Sequence, residues 1–434
     1  MSRHRLAGMV ASASLLLALF VVLPGIGADE KSKASHESLY RPLGLFTEVL
    51  SLVKGNYVEE VDAKPLLYGA FSGMADAMDA FAEYVPPEKM AAFAKYEAGR
   101  SKELPELGLV LARRMNYPVV VAAVGGSPAA AAGVKSDDLI EKIDDQPARG
   151  LALWEVEARL AGPAGGRVRL LVVRDGKPRR RTLDVVRGSW APAAPSASRA
   201  GSETVVKIPS FGPGTAAAVR AILAPLDRTR PLVVDLRDNA WGSYDEAART
   251  AALFAPAGSL GELTGRKIET KSFRAEPGER VHESRLVLIM DSGTAGPAEL
   301  FAAGVSETLN RPAVSKAEKK PKAEAAPAEE EFPDETAPAP VAAWDGRMVR
   351  LVGEPSVGMG FVQQTLRLQS GGSLKLSVGK IRTPSGRSLS PKGLTPDDRV
   401  FHVPLDETAP GAPPDPFLDR ALKVLSESRP KAAA

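Results

Sequence analysis

The chain has 434 residues, 44% hydrophobic and 25% charged, enough for two or three domains. Its 56 basic against 53 acidic residues leave a formal net charge of +3, which gives no reason to expect a nucleic-acid partner. With no cysteine, disulfides, thiolate metal sites, a lipid-modified cysteine and a cysteine nucleophile are excluded; four scattered histidines argue against a His-rich site, so no metal or cofactor is expected.

In chain order, residues 1–28 place Arg3, His4 and Arg5 before an apolar run at 6–23, followed by Pro24, Gly25, Ile26, Gly27 and Ala28. This is the order of a secretory signal; the alternative is an uncleaved membrane anchor, and either exports the remainder. Residues 37–100 read as a helical N-terminal subdomain, with Leu45, Phe46, Val49, Leu50 and Val53 on one inward face and Leu66, Leu67, Ala70, Phe71 and Met74 on another.

Residues 103–188 change to short strands and turns, with a strand at 119–121, a turn at Ser127 and Pro128, and helical spacing of Trp154, Val156 and Leu160. This order resembles a circularly arranged PDZ domain of bacterial proteases. The resemblance implies that an extended peptide adds to a strand and that the amides of Leu107, Gly108 and Leu109 hold its terminal carboxylate. Asp137 stands where such modules usually have glycine, which predicts an altered turn there.

Residues 189–201, rich in Ala, Pro and Ser, read as a linker. Strand and helix then alternate from 202 to 405, the pattern of an α/β core with a largely parallel sheet, whose ligands collect at the carboxyl ends of strands. Asp235, Arg237, Asn239 and Gly242 leave one such end. The apolar run at 286–289 leads to another, where Ala295 and Gly296 precede a helix beginning near Pro297. Ser292 is expected to close the turn. Residues 315–343 are almost devoid of groups to bury and read as a disordered insertion, after which 350–352 should return beside the strand at Leu286. A hairpin around Gly371 and Gly372 follows, and 413–428 holds an amphipathic helix capped by Asp415.

Seven segments in a fixed order carry a more specific resemblance: GNYVEEVD with LLYGAFSGMADAMD, GSPAAAAGVKSDDLIEKID, KIPSF, VVDLRDN, GTAGPAEL, VGEPSVGMGFVQQ and GKIRTPSGRSLSPKGLTPD. They make the chain similar to the C-terminal processing peptidases, or tail-specific proteases, of serine peptidase family S41. The fold implied is a mixed α/β multidomain one: helical N-terminal subdomain, β-rich PDZ-like module, and an S41 peptidase core of ClpP/crotonase type with a C-terminal helix.

The activity implied is peptide hydrolysis near protein C-termini by a Ser/Lys dyad with a backbone oxyanion hole. Carried over residue by residue, the nucleophile position is Gly296 and the general-base position Met359, while the orienting glutamine is retained as Gln363. Of the oxyanion-hole positions, Pro297 has no N–H, and the other donor falls at Trp241 and Gly242, where an indole is expected to fill substrate space. A relocated Ser292/Lys380 dyad is the alternative that would keep endopeptidase activity. The N-terminal signal places the protein outside the cytoplasm, and a bacterial periplasm or envelope is expected. The resemblance implies partners that are protein C-terminal tails or an active protease relative, and adds homo-oligomerisation to the expectations.

Overall fold

The computed structural model describes residues 30–99, 104–174, 179–310, 347–401 and 415–427. The leader at 1–28 and the insertion at 315–343 lie outside them. The chain divides into two units at Phe71. The first contributes helix α1 (Glu30–Asn56) and most of α2 (Ala63–Asp76). Leu45, Phe46 and Val49, expected to face inward, are exposed on α1 together with Leu43 and Leu52.

In the second unit the helical region is interrupted. Strand β1 (Glu83–Val85) precedes α3 (Met90–Gly99) and pairs antiparallel with residues 373–375 far along the chain. Three residues between helices carry no periodicity of their own, so only this long-range partner identifies the strand.

The PDZ module follows as β2 (Leu109–Arg114), β3 (Tyr117–Ala123), the short helix α4 (Pro128–Ala131), β4 (Leu139–Ile143), β5 (Gln146–Pro147), α5 (Leu153–Leu160), β6 (Arg167–Arg174) and β7 (Arg179–Val186). Its sheet has the order β2-β3-β4-β6-β7, which leaves β2 at an edge. Leu109, Leu111, Ile140, Ile143, Val156, Leu160, Leu170 and Val172 form its core. Asp137 adopts the left-handed conformation that glycine favours (φ 65°), and its N–H donates to the Val120 carbonyl. The buried Arg174 guanidinium grips Asp138 at 2.6 and 2.7 Å beside it.

The peptidase-like core contains β8 (Ser196–Ala200), β9 (Glu203–Lys207), α6 (Thr215–Leu223), β10 (Leu232–Asp235), α7 (Tyr244–Ala252), β11 (Gly258–Thr264), β12 (Lys271–Ala275), β13 (Leu286–Met290), α8 (Pro297–Leu309), β14 (Val349–Gly353), β15 (Phe361–Arg367), β16 (Ser373–Arg382), β17 (Asp398–Arg399) and α9 (Pro416–Glu427). The central sheet runs β17-β14-β13-β10-β9-β8, parallel except for β8. Part of the expected linker is therefore an edge strand, paired with β9 from Ser196 to Ala200. Alanine and serine mask its strand character in the sequence. Residues 350–352 return beside β13 as expected.

Strand periodicity splits this sheet cleanly. Val206, Val234, Leu286, Leu288 and Met290 face the cluster that includes α7 and α8, whereas Val205, Val233, Val287 and Ile289 face Phe417, Ala421 and Val424 of α9. Both faces are covered, which is why 286–290 is apolar throughout. Asp415 caps α9 by accepting from the Leu418 N–H at 3.1 Å, and its carboxylate also takes the Arg237 guanidinium at 2.8 and 2.9 Å. A second, antiparallel sheet, β1-β16-β11-β12 with β15 on β16, includes the expected hairpin.

Candidate functional site

The carboxyl ends of β10 and β13 lead into the turns that form the site. After Met290, the buried carboxylate of Asp291 accepts from the N–H groups of Asp238 and Gly293, at 3.1 and 3.0 Å, and the Thr294 hydroxyl lies 3.0 Å from it. Burial, then the charge of Asp238, push the Asp291 carboxyl above the usual range. Asp291 closes this turn; the Ser292 N–H instead points to Glu354 at 3.4 Å. No hydrogen bond joins Ser292 to Lys380 among the described residues, and Lys380 is exposed on β16.

The turn ends at Gly296, with φ 56° and ψ −110°, outside the regions that side-chain-bearing residues populate comfortably. A Cβ placed there would lie 3.7 Å from the Met359 carbonyl oxygen and 3.8 Å from the Tyr244 hydroxyl, ordinary contact distances. Space exists for a larger residue; the backbone conformation is the obstacle. Pro297 follows as the first helical residue and offers no N–H, while the amides of Ala298, Glu299 and Leu300 donate to Ala295 and Gly296 carbonyls.

Gly296 and Met359, distant in sequence, are brought together by two groups that the sequence reading did not assign to the site. Glu299 is fully buried; its carboxylate accepts from the Gly296 N–H at 2.9 Å, the Gly358 N–H at 2.6 Å and the Ser356 hydroxyl at 2.5 Å. It ties the start of α8 to the turn carrying Met359. Burial outweighs those bonds and pushes its carboxyl up to about 7. The Tyr244 hydroxyl sits 3.0 Å from both the Met359 and Phe361 carbonyl oxygens, and burial raises its pKa far above the ordinary range. Glu299 stood in the sequence three residues after Gly296, a capping spacing that could have signalled this role; Tyr244 carried no signal.

The Met359 side chain packs against the PDZ core and against a small cluster with Val121, Ala122, Ala240 and Ala295. It supplies no proton acceptor of useful basicity. Gln363 turns away: its Nε2 donates to the Phe81 carbonyl at 2.8 Å. The Trp241 indole lies against Gly212 and is not among the atoms within 4 Å of a Cβ at Gly296. Phe211 exchanges backbone bonds with Trp241 and Ser243, and this pairing directs the loop.

Trp241 instead helps to line a cavity of about 690 Å³ with Trp190, Pro192, Pro213, Thr215 and Ser243. The lining contains no ionisable side chain, which suits an uncharged, largely apolar peptide stretch.

In the PDZ module, Leu107 and Leu109 are buried in the core and Gly108 has φ 78°. The Gly108 N–H donates to Pro105 at 2.9 Å and the Leu109 N–H to Glu106, so two of the three amides expected to hold a terminal carboxylate are already used within the chain. A Cβ at Gly108 would come within 2.0 Å of the Ser127 Cβ, so glycine is required there by packing as well as conformation.

No helix of the described residues is long and apolar enough to cross a membrane, and no cluster of His, Asp and Glu among them could hold a metal ion.

A model of peptidase family S41 matches residues 204–315 and 340–400, and a PDZ domain model matches 119–174. A carboxy-terminal-processing protease of Bartonella bacilliformis is 26% identical over 412 residues, covering 93% of this chain and 83% of that protein. The carboxy-terminal processing protease CtpA of Bacillus subtilis is 24% identical over 398 residues, covering 90% and 74%. Among solved structures, a photosystem II D1 C-terminal processing protease superposes with a TM-score of 0.58 at 20% identity, over 82% of this chain and 92% of that one, which establishes a common fold. The chain carries a peptidase family S41 domain and a PDZ domain, and is similar along most of its length to the bacterial carboxy-terminal processing proteases.

Proposed function

We propose that this family member binds protein C-terminal tails, or an active protease relative, without cleaving them. One observation carries the reading: at the start of α8, facing the turn of Met359, stand Gly296 and then Pro297. A family mechanism carried onto these positions has no hydroxyl to attack a carbonyl, no amine to take its proton and one oxyanion donor fewer. Loss of one such donor alone costs about 2.7–4 kcal/mol of transition-state stabilisation.

What remains is suited to holding a peptide: a PDZ module and an uncharged cavity walled by Trp190 and Trp241. The signal-like order of residues 1–28 supports work outside the cytoplasm, where it would act as an adaptor, a decoy or a subunit beside an active relative.

The test is retention of a library of peptides with free or amidated C-termini on the immobilised protein, with the eluted peptides weighed by mass spectrometry. Intact peptides retained through a free C-terminus support the reading. Shortened peptides contradict it, and no retention removes C-terminal tails as the partner.

A further inference from the structure

The outer edge of β2 and the neighbouring α5 form the groove in which a PDZ module receives a peptide by strand addition. In this chain residues 80–83 take the end of the groove beside Arg113 and the start of α5. The Arg113 N–H, on the free edge of β2, donates to the Ala80 carbonyl at 3.2 Å. The Arg113 guanidinium reaches the Ala82 carbonyl at 3.2 Å and pairs with Asp76. Phe81 is buried in the same hydrophobic cluster as Leu109, Leu111, Val156 and Leu160.

Two residues further on, the Glu83 carboxylate, 1% exposed, accepts from the N–H groups of Leu153 and Trp154 at the start of α5. A carboxylate there meets unsatisfied amides and the positive end of the helix. On its other side the segment is gripped by the core: Gln363 donates to the Phe81 carbonyl, the Phe361 ring lies 4.8 Å from that of Phe81, and Lys375 lies 3.6 Å from the Glu83 carboxylate.

We propose that the groove between β2 and α5 is a peptide site that the chain occupies with its own residues 80–83, and that the external peptide it admits presents an aromatic side chain followed two positions later by a carboxylate. The second part rests on the tail-binding reading above; the first does not. An internal occupant lowers the apparent affinity for any competitor by the fraction of chains whose groove is open.

The experiment uses the full-length chain and a fluorescent peptide with the sequence of residues 79–85. It is titrated into wild type, Phe81→Ala and Glu83→Gln, each checked for native near-ultraviolet circular dichroism. The peptide should bind Phe81→Ala at least about tenfold more tightly than wild type, because the groove is then open. It should lose that gain when alanine replaces its own phenylalanine. Glu83→Gln should also bind it more tightly than wild type, with faster amide exchange at Arg113, and it decides the matter if Phe81→Ala does not fold.

Equal binding to wild type and the folded variants, or none to any of them, overturns self-occupancy. Unrelated C-terminal peptides run in parallel separate the two readings. If they bind none of the chains while the 79–85 peptide binds the variants, self-occupancy stands and the tail-binding reading falls. If they bind wild type and variants alike, tail binding stands and self-occupancy falls.

Discussion

At Gly296 the backbone demands a conformation that only glycine adopts without strain, and the neighbouring space would accept a small side chain. Gly296→Ser should therefore lower stability by about 1–3 kcal/mol in urea unfolding, the usual cost of such a conformation for a side-chain-bearing residue. Adding Met359→Lys should leave any peptide cleavage at least about 100-fold below that of a protein with both oxyanion donors, because Pro297 still removes one of them. Glu299 sets a second expectation. Its folded pKa, about 7, lies above the ordinary value of 4.5, so between these values the folded state binds more protons than the unfolded one. Stability from this group is fully present below about pH 4.5 and is lost as pH rises through 7. Glu299→Gln has no such dependence, so the stability of wild type relative to it should fall by about 3 kcal/mol from pH 4.5 to 7.5. Buried His282 acts oppositely: burial depresses it to about 4 from 6.5, so its contribution is present above pH 6.5 and is lost as pH falls through 4. His282→Gln should flatten the acid limb of the same unfolding profile. At this scale the sequence singled out Gly296, Pro297 and Met359 by alignment to a motif, and the structure brings the Met359 carbonyl beside Gly296. The turn toward Phe81 of Gln363 and the bond of Tyr244 to the Met359 turn depend on tertiary neighbours that no local pattern encodes.

At the scale of elements, helices and central strands were legible because burial on one or both faces imprints a period on the sequence. Strands β1 and β8 were not: one is three residues long, the other is an alanine- and serine-rich edge, and both are defined by their partners. Helix α9 was legible, with its Asp415 cap and apolar stripe, and its packing gives a direct test. Phe417 is 2% exposed and covers one face of the central sheet. Phe417→Ala should destabilise the protein by about 3–5 kcal/mol in denaturant unfolding, through lost burial and the cavity left behind. The exposed Leu45, Phe46 and Val49 of α1 reverse the expected inward face. If that stripe mediates self-association, Val49→Asp should lower the mass measured by sedimentation equilibrium without changing the circular dichroism.

For the whole molecule, the order of helical segment, PDZ module, parallel core and closing helix was readable from seven motifs in sequence. What the order concealed is that residues 76–85 leave the helical region to bind the PDZ edge and the core at once. The same geometry places Met359 against the PDZ core and, through its carbonyl, near Gly296, so the PDZ module and the Gly296 turn share one packed region. The most direct measurement is a time course of unstructured C-terminal peptides incubated with the repurified protein and with Ser292→Ala, followed by mass spectrometry. A protein that only binds yields no product, as wild type or as Ser292→Ala, beyond the peptide-alone control. Cleavage by wild type that disappears with Ser292→Ala would establish a relocated nucleophile and contradict it.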